Sequence, residues 1–327
     1  VATSAPRFSS LDALLLLMTL IWGTNFSIVK FAFAEIDPQA FNALRMVLAS
    51  AVFLVIMAFI RRLAARQPAG APHEDVDDDV ASIFLTPAPI TRRDWMALAL
   101  LGLVGHCLYQ YLFIGGLART SVANSSLLLA ATPVVIAIAT AALGQDRIGL
   151  PHWLGAALSM AGIYVVIGRG FRLEPGALTG DLMMFGAVCC WAAYTIGSRE
   201  LMRRHSPVGV TGASMAIGTA LYVPPLLPRL AHIDWAGVTA RTWLALVYSA
   251  LFALCVAYTI WYAAVRRIGG PRTSVYSNVV PLVAMTTAVA FLDEPLGPSK
   301  ILGAAAVLVG VALTRVGQRR VPIPAEE

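Results

Sequence analysis

The chain has 327 residues, of which 58% are hydrophobic and only 13% charged, with a formal net charge of +6 and a mean hydropathy of +0.74. A soluble domain needs nearer ~25% charged residues to wet its surface, so a soluble enzyme is excluded and an all-α polytopic membrane protein is indicated. The basic excess does not read as nucleic-acid binding, because the arginines sit in short segments between apolar runs, where the positive-inside rule accounts for them.

Apolar runs bounded by charge, Pro or Gly predict ten membrane-spanning helices, at about 11–33, 38–60, 95–116, 121–143, 150–168, 180–198, 207–229, 242–265, 273–292 and 299–316. The runs are apolar on all sides, which excludes the alternating strands of a membrane barrel. The first run follows no basic stretch and is too long for a signal peptide, so it reads as a span.

In chain order, helix 1 presents Trp22, Asn25 and Phe26 on one face, and helix 2 carries Arg45 about two turns inside. Arg45 has two open readings: snorkelling to the headgroups, or a role in gating or binding an anionic group. Residues 62–94 hold six of the 18 acids and a Pro-rich stretch, and read as a disordered cytoplasmic insert. Helix 3 groups His106, Tyr109, Gln110 and Phe113, helix 6 groups Trp191, Tyr194 and Thr195, and helix 8 groups Tyr258, Trp261 and Tyr262. Any one Trp or Tyr is equally explained by an interfacial aromatic belt. Asn25, His106 and Gln110 should face the protein interior, since lipid would not solvate them, either lining a site or bridging helices.

Pro133 and Pro281 should kink helices 4 and 9, with Asn124 and Asn278 upstream as secondary lining candidates. Gly155/Gly162 and Gly303/Gly310, two turns apart, suit close helix packing. Helices 4, 5, 9 and 10 read as scaffold or a dimer surface. Cys107, Cys189, Cys190 and Cys255 all fall in apolar spans and are expected as buried free thiols. No His/Cys cluster has metal-ligand spacing, and no metal or other cofactor is expected.

The sequence also repeats. Residues 117–165 overlay 265–313 without a gap at a shift of 148, with eleven identities in 49 positions that include Pro133/Pro281 and Gly162/Gly310. A shift of 169 places Asp12 on Asp181, Trp22 on Trp191 and Lys30 on Arg199. Each unit holds five spans, and an odd number makes the halves cross the membrane in opposite senses. The expected architecture is therefore two inverted five-helix repeats, 1–169 and 170–327. With the N-terminus inside, sixteen of the 24 Lys and Arg residues fall on the cytoplasmic side and seven opposite, so both termini are expected in the cytoplasm of an inner-membrane protein.

Six stretches carry a family resemblance: "WGTNFSIVK", "FNALRMVLA", "SVANSSLLLAATPVV", "PHWLGAALSMAGIYVV", "TSVYSNVVPLVAMTTAVAFLDEP" and "ILGAAAVLVGVALTR". Together they resemble the EamA-type branch of the drug/metabolite transporter superfamily, over all but 1–9, 62–94 and the tail. One departure is "GQDR" after helix 4, where the family often has Glu; Asp146 has two open readings there, a substitute for that Glu or only the mark of a helix end. The resemblance implies a transporter or exporter of small metabolites, nearest the aromatic and neutral amino acid exporters. The alternatives are a carrier of another metabolite such as a nucleotide sugar, or a membrane-embedded lipid-modifying enzyme. The first would favour several deep basic residues where only Arg45 qualifies; the second would need paired acids or a His–acid pair, which no span supplies. The expected partners are a small-molecule cargo and the lipid bilayer, with no nucleic acid and a homodimer left open. The expected cargo-binding residues are Trp22, Asn25, Phe26, Arg45, His106, Tyr109, Gln110, Trp191, Tyr194, Tyr258, Trp261 and Tyr262.

Overall fold

A computed structural model describes residues 9–66, 83–84, 89–142, 150–168, 177–268, 273, 276–277 and 279–316. These residues are helical or connecting, with no strand among them. The helices are α1 (Ser10–Ala32), α2 (Pro38–Arg66), α3 (Arg92–Arg119), α4 (Val122–Ala130), α5 (Thr132–Ala142) and α6 (Leu150–Gly168). They continue as α7 (Ala177–Arg204), α8 (Pro207–Tyr222), α9 (three consecutive segments, Ala240–Tyr248, Ser249–Val256 and Ala257–Ile268), α10 (Val280–Leu292) and α11 (Pro298–Val316). Six of them, α1, α2, α3, α7, α8 with its short extension, and α9, are long and apolar enough to cross a membrane. Shorter apolar helices make up the rest.

Helix starts follow local chemistry. Ser9 and Asp12 close a capping box on α1, and Thr91 and Asp94 do the same on α3. Asp37 accepts from the backbone N–H groups of Gln39 and Ala40, both at 3.0 Å, as Pro38 opens α2. Two helices widen into π turns, α3 at Gly102–Leu108 and α9 at Ser249–Val256, which lie 148 positions apart to within a residue. The chain breaks between α4 and α5 at Ala131, whose N–H reaches Leu128 O at 3.1 Å. The same local bond recurs 148 residues on, from Val279 N–H to Tyr276 O at 2.9 Å, just before α10.

Small residues set the tightest crossings. A Cβ at Gly162 of α6 would lie 2.8 Å from Gly303 O of α11, and one at Gly310 would lie 2.6 Å from Gly155 O. The glycines of the two helices therefore meet each other's backbone in a reciprocal pattern, and Ser159 Oγ donates to Val307 O at 3.3 Å across the same seam. Gly23 on α1 packs against Val283 of α10, and Gly218 on α8 against His106 of α3.

Polar contacts gather at two ends. At one, Lys30 bonds the carbonyl of Thr120 and pairs with Glu294 at 3.4 Å, while Glu294 caps α4 through Val122 N–H at 2.9 Å. Glu35 accepts from Thr239 N–H at 2.8 Å and Arg229 pairs with Asp37 at 3.3 Å at this end too. At the other, Tyr276 donates to Asp12, and Asp94 pairs with Arg204 at 2.8 Å beside His205.

Two expectations are corrected. The 62–94 insert is not wholly a disordered loop: α2 runs on to Arg66, α3 begins at Arg92, and Ile83 is buried in a cluster with Phe53, Val208 and Tyr262. An aliphatic side chain within an otherwise acidic, Pro-rich stretch gains more from that apolar cluster than from water. The four thiols are free, as expected, but only Cys255 is fully buried and Cys189 is exposed on the outer face of α7. Residues 67–82 and 85–88, Asp146 and Asn278 lie outside the described residues.

Candidate functional site

The site begins with a layer of polar side chains inside the helices. Asn25 lies seven residues from the Ala32 end of α1, and Arg45 seven from the Pro38 start of α2. Gln110 lies nine from Arg119, and Ser249 nine from Ala240. Lys30–Thr120 and Glu35–Thr239 tie those four helix ends together, so the layer sits roughly 10–14 Å below one end of the bundle at 1.5 Å per residue.

Within it, Ser249 Oγ donates to Asn25 Oδ1 at 2.6 Å, and Arg45 supplies three bonds. Arg45 Nε donates to Asn42 Oδ1 at 3.0 Å, Nη1 to Ser249 Oγ at 2.9 Å and Nη2 to Gln110 Oε1 at 2.7 Å. Arg45 is 1% exposed, Gln110 2% and Asn25 6%. This burial rules out snorkelling: the guanidinium points into the bundle. Asn42 and Gln39, one and two turns closer to the helix start, continue the polar line, and Tyr222 donates to Gln39.

Beside the layer runs a continuous set of aromatic rings. Trp22 lies 5.6 Å from Trp261 and 5.9 Å from Tyr258 between ring centroids. Tyr258 contacts Tyr262 at 6.3 Å, Trp191 at 5.6 Å and His106 at 6.4 Å. Trp191 stacks near Tyr194 at 5.7 Å and Tyr109 at 5.2 Å, and Tyr109 leads through Phe113 to Phe26. Such pairs add about 0.5–1.5 kcal/mol each beyond the area they bury. The Trp22 indole donates to Ala253 O at 3.0 Å, within the π turn of α9. His106, in the π turn of α3, is fully buried, and neither ring nitrogen has a hydrogen-bond partner among the described residues.

All twelve residues named from the sequence thus fall into one connected region: nine in the ring set, and Asn25, Arg45 and Gln110 in the polar layer. Sequence reasoning missed Ser249, which bridges Asn25 to Arg45, and Asn42. Asn42 carried a signal, a polar residue one turn before a charged one on a helix; Ser249 carried none. Asn124 is part-buried on α4, and its Oδ1 has no hydrogen-bond partner among the described residues. The described residues hold no group of three His, Cys, Asp or Glu that could bind a metal.

A helical membrane bundle with a buried polar layer beside aromatic rings has the form of a transport protein. The chain belongs to the EamA-like transporter family, which matches at residues 9–73, 80–168 and 178–316. It is 26% identical to the uncharacterized transporter YyaM of Bacillus subtilis, over 94% of each chain. It is 27% identical to a probable terminal-alkyne amino-acid exporter of Streptantibioticus cattleyicolor, over 74% of this chain and 83% of that one. It is 24% identical to a probable amino-acid metabolite efflux pump of Salmonella typhimurium, over 94% of this chain and 95% of that one. One solved structure, described only as a crystal structure of a protein, aligns with a TM-score of 0.60 at 19% identity, over 95% of this chain and 98% of that one. That last likeness is one of fold alone. The protein is a multi-pass membrane transporter of this family, and its relatives carry names of transporters rather than enzymes.

Proposed function

We propose that the protein exports small metabolites, neutral or aromatic amino acids, by alternating access between two inverted five-helix repeats. The observation that carries the cargo class is the ring set from Trp22 to Tyr109 lying against the polar layer of Asn25, Arg45 and Gln110. An apolar wall with a few placed polar groups suits a ring or aliphatic side chain at one end and backbone groups at the other. The names of the Streptantibioticus and Salmonella relatives point the same way.

Ten spans in a 5+5 arrangement, divided at 169/170, account for the gapless 148-residue repeat. They also account for the paired π turns, the paired breaks at Ala131 and Val279 and the reciprocal glycine contacts of α6 with α11. Inverted repeats with interrupted helices give two equivalent conformations that open to opposite sides. The surroundings are then an inner membrane with both termini in the cytoplasm; the cargo and the bilayer are the partners.

The test is uptake and counterflow of a panel of labelled amino acids into proteoliposomes. Neutral or aromatic amino acids should move down their own gradient without an imposed proton gradient, because among the described residues no carboxylate lies in the polar layer. Transport that vanished on collapsing the pH gradient would demand a proton relay and make His106 the first residue to test. No flux of any member of the panel would end the amino acid reading.

A further inference from the structure

We infer that Arg45 is the point at which the protein recognises the carboxylate of its cargo, so that a free acid is handled and the matching amide or amine is not. The inference rests on the transport reading above and adds to it the chemical group that must be present.

The first ground is an unbalanced charge. A guanidinium stays protonated at any physiological pH, and this one is 1% exposed inside a membrane bundle. Its three partners, Asn42, Ser249 and Gln110, are all neutral. Among the described residues the ion pairs lie elsewhere: Lys30 with Glu294, Arg204 with Asp94 and Glu200, Arg203 with Glu200, and Arg229 with Asp37. Neutral acceptors satisfy N–H groups but leave a full positive charge in a low-dielectric surround, and an ionisable side chain at membrane depth marks a substrate or ion pathway by default.

The second ground is geometry. Each partner takes one bond, from Nε, Nη1 and Nη2 respectively, whereas a guanidinium carries five N–H donors in a rigid fork. Asn42 on α2 itself, Gln110 on α3 and Ser249 on α9 fix the plane of the fork, and the arithmetic leaves one N–H on each of Nη1 and Nη2, a pair of the kind that takes the two oxygens of a carboxylate. Ser249 is itself oriented by its bond to Asn25, so the position of the charge is set from α1, α2, α3 and α9 together. Gln110 and Asn25 accept with their carbonyl oxygens, which keeps their NH2 groups as further donors for an anion.

The third ground is what lies next to it. On α3, His106 and Phe113 stand one turn to either side of Gln110, and both belong to the ring set. An amino acid carboxylate on Arg45 therefore places its side chain against rings, the match expected for an aromatic or aliphatic cargo.

An anion at this position has two sources, the cargo's carboxylate or a resident inorganic ion such as chloride, and the experiment separates them. Counterflow of labelled phenylalanine in proteoliposomes is challenged with unlabelled phenylalanine, phenylalaninamide and 2-phenylethylamine, with chloride and with isethionate as bulk anion. The free acid should compete at least ten-fold better than either analogue in both salts. In Arg45→Gln that preference should collapse, and Arg45→Lys should restore part of it. Equal competition by amide or amine in the wild type overturns the inference without any variant, so a misfolded Arg45→Gln does not protect it. A ten-fold preference retained in folded Arg45→Gln also overturns it.

Should phenylalanine not move, the same challenge is run with a panel member that does and with its amide; should none move, the amino acid reading fails and the carboxylate inference is judged separately, from the melting temperature of purified protein with small organic acids, their amides, and chloride. Stabilisation by acids over amides, lost in Arg45→Gln, supports the site. Stabilisation by chloride alone, or by nothing, overturns it.

Discussion

At the scale of single residues, the polar layer makes side chains depend on one another. Gln110 holds Arg45, Arg45 holds Ser249, and Ser249 holds Asn25. Asn25→Ala, Gln110→Ala and Trp191→Ala should each lower transport while expression and folding are retained, read by initial rates and by detergent melting curves. Losing one hydrogen bond to a charged group costs about 1.5–3 kcal/mol, roughly ten-fold or more in affinity. Wild-type rates in all three would remove the cargo from this layer and from the rings beside it. Glu35, outside the spans, gives a pH-dependent expectation. The backbone N–H of Thr239 holds its carboxyl below the ordinary carboxylate range. A lowered value in the folded state means the contact stabilises fully above the unfolded value and is lost as pH falls through the folded one. Melting temperature should therefore drop on acidification below about pH 4 partly through this residue, and Glu35→Gln should flatten that part of the profile.

At the scale of helices, the seam between α6 and α11 has no room for side chains. A Cβ at Gly162 would sit 2.7 Å from Val307 N, and one at Gly310 would sit 2.5 Å from Ser159 N. Gly162→Ala and Gly310→Ala should each destabilise by about 1–3 kcal/mol, the usual effect of overpacking. Gly297→Ala, where a Cβ would meet nothing closer than 4.0 Å, serves as the neutral comparison in the same melting assay. Much at this scale was legible in the sequence. Paired glycines two turns apart announced close packing, and the aromatic stripes announced the ring set, because periodicity reports which residues share a face. The π turns were not legible. They widen α3 and α9 at Gly102–Leu108 and Ser249–Val256 without any Pro, and a 3.6-residue period cannot reveal where a helix departs from it. That is also why Ser249, first residue of the second π turn, escaped notice. Arg45 was ambiguous for a different reason: distance from a helix end does not say whether a side chain turns towards lipid or protein, and only its partners on α3 and α9 decide. Ile83 was hidden by its acidic, Pro-rich surroundings, since composition averages over the few residues, Ile83 and Phe84 among them, that pack.

For the whole molecule, the proposed topology makes a direct expectation. Reporter fusions after residues 75 and 327 should score cytoplasmic, and one near 172 should score on the opposite face. A cytoplasmic signal at 172 would make the spans per half even and end the inverted arrangement.

The reciprocal glycine seam carries one more consequence, for how such a chain is made. Gly162 faces Gly303 while Gly310 faces Gly155, so α6 and α11 meet as two subunits of a symmetric dimer would, although one polypeptide supplies both. On the proposed division into halves, the covalent link between them should then be dispensable for recognition. Two separately translated fragments, 1–172 and 173–327, should find one another in the bilayer and rebuild a working carrier, and Gly162→Leu in the first fragment should block that reunion. Co-purification of a tagged first fragment with the second, and recovery of transport, would measure it.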